Sequence, residues 1–117
     1  MKRGSTPTNT FTLPFAPPYG SEILIVYAQG EDHKESILFE KTAKDCAIDG
    51  NVVSVRLSAD ETLRFDCSPH YHNGKYEPYP VKIQLGIKYP NDTGADILWS
   101  DIIETPPERC LKGNGGF

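Results

Sequence analysis

The segment Val52 to Phe65, VVSVRLSADETLRF, constrains this chain more than any other. Val53, Val55 and Leu57 alternate with Ser54 and Arg56, the two-residue period of a strand with one face in a core. The period stops at Ser58, and Leu63 and Phe65 follow too soon for a real helix. Ser58 and Glu61 stand at capping-box spacing, in which the Ser58 hydroxyl accepts from the backbone at Glu61 and the Glu61 carboxylate reaches back. That spacing predicts one short helical turn near 59–63, at a corner where the chain crosses between two sheets.

The rest of the chain repeats the same period. Phe11, Leu13 and Phe15 share one face of a strand over 8–15, which Pro14 places at an edge. Glu22 to Gln29, EILIVYAQ, is apolar on both faces, which predicts a central strand covered on both sides. Ser36 to Lys41 and Asp45 to Ile48 are shorter strands, and Asp49-Gly50-Asn51 reads as a hairpin turn. Val81 to Tyr89 alternates sharply, with Val81, Ile83, Leu85, Ile87 and Tyr89 inward. Ala95 to Thr105 is the last long strand, with Ile97, Trp99 and Ile103 packed in the core after a shift in register. About seven strands at roughly ten-residue intervals predict an all-β fold, an Ig-like Greek-key β-sandwich.

A chain of 117 residues supports a single domain over 1–117 with one core. Residues 1–7 and 112–117 read as loose tails. Residues 67–80, CSPHYHNGKYEPYP, read as a long loop, rare in compact domains unless it binds something or is mobile.

Charge and hydropathy exclude several functions. The net charge is −4, and no basic run extends past Lys2-Arg3, so the footprint of a nucleic-acid binder is missing. No apolar run approaches the ~20 residues of a membrane span, and the N-terminus lacks the apolar core of a signal peptide. No membrane or nucleic-acid partner is expected, nor secretion by a signal peptide. Cys46, Cys67 and Cys110 are then expected as reduced thiols, because three cannot all pair within one chain.

Catalytic chemistry is poorly supplied. Cys67, His70 and His72 make C-x-x-H-x-H, three of the four ligands a structural zinc needs, with no fourth nearby in sequence. Cys67 with His70 is the only candidate nucleophile–base pair, and no motif surrounds either. We therefore expect no enzyme, no catalytic residue, no metal and no cofactor. Tyr71, Tyr76 and Tyr79 remain as candidate interaction residues, since aromatic rings on a loop suit protein contact or stacking on a sugar.

Several ordered segments resemble one family. Arg3-Gly4-Ser5-Thr6-Pro7-Thr8 followed by Phe11-Thr12-Leu13-Pro14-Phe15 is similar to the opening of small proteins from the tail-gene regions of phages and prophages of Gram-positive gut bacteria. The corner Leu57 to Phe65, the run Val81 to Leu85 with Ser100 to Ile103, and Glu108-Arg109-Cys110-Leu111 resemble their later segments. The matches touch about a third of the chain. The resemblance implies a non-enzymatic virion protein, a tail or baseplate component akin to the Ig-like N-terminal domain of baseplate upper proteins. It would act through contacts with other tail proteins or with itself, in the host cytoplasm during assembly and then in the virion. Residues 67–80 depart from the family, being longer than its usual link. The alternative from the residues alone is a carbohydrate-binding module built on the loop tyrosines.

Overall fold

The structure is a computed structural model and describes residues 1–112. The chain runs β1 (Thr8–Thr12), β2 (Glu22–Gln29), β3 (Ser36–Thr42), a 3₁₀ turn (Ala43–Asp45), β4 (Cys46–Asp49) and β5 (Val52–Arg56). Then come α1 (Ala59–Thr62), β6 (His70–His72), β7 (Lys75–Glu77), β8 (Val81–Asn91), β9 (Gly94–Trp99) and β10 (Ile103–Thr105). One sheet has the order β1-β5-β4; the other has β3-β2-β8, with β9 and β10 in turn along the far side of β8. Every pairing between strands is antiparallel.

That order makes the fold an Ig-like Greek-key sandwich. Chain and spatial order agree with the immunoglobulin arrangement once its first strand is removed. The hairpin β2–β3 crosses to the hairpin β4–β5, and β8 returns beside β2. One core joins the two layers. Phe11, Leu13, Val53, Val55 and Leu57 come from the first sheet, and Ile23, Ile25, Tyr27, Phe39, Val81, Ile83, Leu85 and Ile87 from the second.

Tyr27 is fully buried and stacks on Phe39, with ring centroids 4.6 Å apart. Its hydroxyl donates to Asn9 Oδ1 at 2.6 Å, which ties the two sheets together through a satisfied polar atom. Burial pushes this phenol well above its ordinary pKa, with smaller contributions from Cys46 and Glu61.

The corner after β5 is built as its spacing requires. Glu61 N–H donates to Ser58 Oγ at 3.1 Å, and Ser58 N–H donates to Glu61 Oε1 at 2.8 Å. The Thr62 hydroxyl, fully buried, donates to Ser5 O at 2.7 Å and fixes the corner to the N-terminal segment.

Four expectations are corrected. β2 is central, but only Ile23, Ile25, Tyr27 and Gln29 are buried. Leu24, Val26 and Ala28 are half-buried, because no strand or helix of the described residues packs over the outer face of their sheet. Ile97 and Trp99 do share a face, as their spacing implies, but it is that outer face. They lie opposite Lys88 and Gly86, and are 61% and 47% exposed. The last strand shifts register as expected but is broken there: between β9 and β10, three residues lie opposite the two residues Leu85 and Gln84, a bulge in an edge, and Ile103 beyond it is exposed. Residues 1–7 are not a loose tail. The terminal amine donates to Pro106 O at 2.9 Å, and Arg3 N–H to Glu108 O at 2.8 Å. The expected tail 112–117 lies, except for Lys112, outside the described residues.

Candidate interaction surface

Residues 67–80 are not an open loop but carry the hairpin β6–β7. Its turn is Asn73-Gly74, both at positive φ (51° and 75°), the geometry of the tight turns that match strand twist. Asn-Gly between His-Tyr-His and Lys-Tyr-Glu is the signal that identifies it. The prolines on either side confine each strand to three residues and so mask the pattern.

Gln29, at the end of β2, holds this hairpin to the sandwich. Its Nε2 donates to Asp66 O at 2.7 Å and to Tyr79 O at 2.9 Å, and its Oε1 accepts from Asp66 N–H at 2.8 Å. One buried side chain thus closes the base of the excursion from both sides. Sequence reasoning missed this residue; a glutamine ending a buried apolar strand, on the inward face, is the available signal.

The three tyrosines divide. Tyr79 is half-buried. It stacks against both His70 and His72, with centroids 4.9 Å and 4.5 Å away. His70 Nε2 lies 3.0 Å from Asp66 Oδ2, and His72 Nε2 lies 3.1 Å from Glu77 O, so both imidazoles serve the hairpin's inner side. The His70 contact, followed by the Ser68 N–H, holds the Asp66 carboxyl below its usual range despite partial burial. Tyr71 and Tyr76 face each other directly across the hairpin and are 74% and 71% exposed. They are cross-strand neighbours with their rings in solvent.

The residues that could carry chemistry are not gathered. Among the described residues, no group of three or more His, Cys, Asp or Glu side chains could hold a metal ion. His70 is engaged with Asp66. Burial pushes the Cys67 thiol up against the pull of Arg3, the opposite of what activates a nucleophile. Cys67 and Cys110 line an open cleft of about 760 Å³ together with Arg3, Arg64 and Arg109. Arg64 Nη1 donates to Leu38 O at 3.0 Å and Arg3 Nε to Phe65 O at 3.1 Å, so two of these guanidiniums brace the backbone. Cys46, Cys67 and Cys110 are free and half-buried.

No family model, no curated protein and no solved structure matches this chain. Among the described residues, no helix is long and apolar enough to cross a membrane.

Proposed function

We propose that this chain is a non-enzymatic structural protein of a phage or prophage tail, a tail or baseplate component that works through protein–protein contacts. The observation that carries the contact role is the Tyr71–Tyr76 pair. Two large rings stand in solvent on a hairpin whose own stability is supplied elsewhere, by Gln29 and by Tyr79 stacked on His70 and His72. Tyrosine at such a position offers wide contact area at little entropy cost, the property of residues that dominate binding energy at interfaces. The tail setting is supported by the resemblance over Arg3 to Phe15 and Leu57 to Phe65. Its partners would be neighbouring tail or baseplate proteins, or further copies of itself, met in the host cytoplasm during assembly and kept in the virion.

The test is co-expression with the products of the flanking tail genes and affinity capture through this chain. A tail protein should be retained by the wild type and lost with the Tyr71→Ser, Tyr76→Ser double variant, at an unchanged melting temperature. Absence of any tail protein from the captured material refutes the tail assignment, and a purely monomeric chain in gel filtration removes contact with further copies of itself. The adjacency of the two exposed rings favours one second reading, a carbohydrate-binding module. A glycan array discriminates: binding lost in the same double variant supports the module, and no binding removes it.

A further inference from the structure

Among the described residues, the outer edge of β9 is the least protected strand edge. Ser100 N–H donates to Leu85 O at 2.8 Å, so at Ser100 the backbone faces β8. Polarity alternates along a strand. Leu98 and Asp96 therefore spend their backbone groups on β8, and Ala95, Ile97 and Trp99 turn theirs outward, where no strand of the described residues lies beyond them. Natural sheets blunt such edges with lysine, proline, covering groups or short strands. At the opposite edge, β3 carries Glu40 and Lys41, and its Leu38 carbonyl is covered by Arg64. In the other sheet, β1 runs between Pro7 and Pro14, and β4 has only four residues. From Gly94 to Thr105 there is neither lysine nor proline, and Ile97, Leu98, Trp99, Ile102 and Ile103 are all exposed.

This edge is complementary to itself. Laid antiparallel to a second copy with Leu98 facing Leu98, each outward-turned Ile97 meets an outward-turned Trp99, and their N–H and C=O groups can pair. The Ile97 and Trp99 side chains of both copies then form one apolar block on the outer face. It continues onto Leu24, which lines the same surface groove of about 330 Å³. Of the charges facing the other copy's Gly94–Ser100 segment, Asp96 comes opposite Ser100 and Asp101 opposite Ala95, so no two carboxylates oppose each other directly. Other centres fit worse. Centring on Asp96 opposes two carboxylates directly, which is destabilising, and centring on Ile97 sets each Asp96 against a leucine.

We propose that a second copy of this chain pairs along β9, antiparallel, with Leu98 on the two-fold axis, so that the two larger sheets become one continuous sheet. The pairing deepens the contact reading above and rests on it. The interface is isologous and closes as a dimer.

Sedimentation velocity across a concentration series tests it. The wild type should show a reversible monomer–dimer equilibrium. Ile97→Lys, with its fold verified by circular dichroism, should weaken association at least about ten-fold. The register is tested independently by Leu98→Cys. Diamide, reduced as it takes two hydrogens from two thiols, should produce a dimer whose digest contains two β9 peptides joined by a disulfide between the introduced thiols, whereas Asp96→Cys should not cross-link to itself. A wild type that stays monomeric at the highest soluble concentration overturns the proposal. So does a dimer unaffected by Ile97→Lys, or a failure of Leu98→Cys to cross-link. If Ile97→Lys does not fold, the wild-type equilibrium and the cross-link decide. A monomer that still captures a tail protein through Tyr71 and Tyr76 overturns only the β9 pairing. A β9 dimer that captures none refutes only the tail assignment.

Discussion

Trp99 lies over Gly86, its directly opposite neighbour across β8 and β9, so closely that a Cβ at Gly86 would collide with the indole ring. The alternation fixed by the Ser100–Leu85 hydrogen bond makes this a non-hydrogen-bonded pair, the closer of the two antiparallel spacings. The glycine leaves a gap in the outer face of β8, and the neighbouring aromatic ring fills it.

Gly86→Ala is therefore expected to push Trp99 off the sheet. The overpacking should cost about 1–2 kcal/mol in chemical denaturation, less than in a closed core because the indole can swing into solvent. Trp99 is the only tryptophan, so its emission reads the event directly and should shift to the red. An unshifted spectrum would show that the ring does not rest on Gly86.

The same pair shows where the sequence stops being legible. Alternation located β8 and β9 and the shared parity of Ile97 with Trp99, because side-chain period is a local property of the backbone. Which face is inward is set by what lies across it. No local pattern states that the outer face of β2 and β8 is left uncovered, so Leu24, Val26, Ile97 and Trp99 read as core. The Ser58–Glu61 corner was legible because both of its bonds join residues three apart. The hairpin clamp was not, because Gln29 reaches partners 37 and 50 residues away. The separation of Tyr79 from Tyr71 and Tyr76 depends in turn on Asn73-Gly74 setting the strand register.

Gln29→Leu should loosen the hairpin while keeping the volume of the site. It leaves one backbone N–H and two carbonyls without their partner, a cost of about 2–3 kcal/mol. Amide exchange should accelerate over residues 66–79 more than in β2 or β8. Uniform acceleration across the sandwich would mean that Gln29 supports the core and does not anchor the hairpin specifically.

Lys82 closes the loop between β2 and β3, with its Nζ 2.6 Å from Asp32 Oδ1 and 2.8 Å from Glu35 Oε2. These hydrogen bonds hold both carboxyls below their ordinary pKa and raise that of Lys82. The carboxylate contribution is thus complete above an unfolded value of about 4 and is lost as pH falls through the lowered folded values. The lysine contribution is complete below its unfolded value of about 10.5 and is lost as pH rises through the raised one. In Lys82→Met, the Asp32 and Glu35 titrations followed by NMR should move upward, and the acid limb of the stability profile should flatten. Unmoved titrations would show that the ion pairs are not kept in solution.

At the corner, burial pushes the Glu61 carboxyl up. The Lys41 ammonium 2.6 Å away and the Ser58 N–H outweigh it, leaving the folded pKa below the usual range. The Lys41 and Glu61 side chains are both largely screened from water, so this pair is worth more than an exposed one. Glu61→Gln keeps an acceptor for Ser58 but removes the charge facing Lys41. It should lower stability by about 1 kcal/mol at pH 7. The Glu61 contribution is present above its unfolded value of about 4.3 and disappears as pH falls through the folded one, so wild type and variant should converge in acid. Ser58→Ala removes the hydroxyl that caps the Glu61 N–H and should cost about 1 kcal/mol both at neutral pH and in acid. A gap between wild type and Glu61→Gln that persists in acid would assign the corner's stability to the cap alone, with Lys41 contributing nothing.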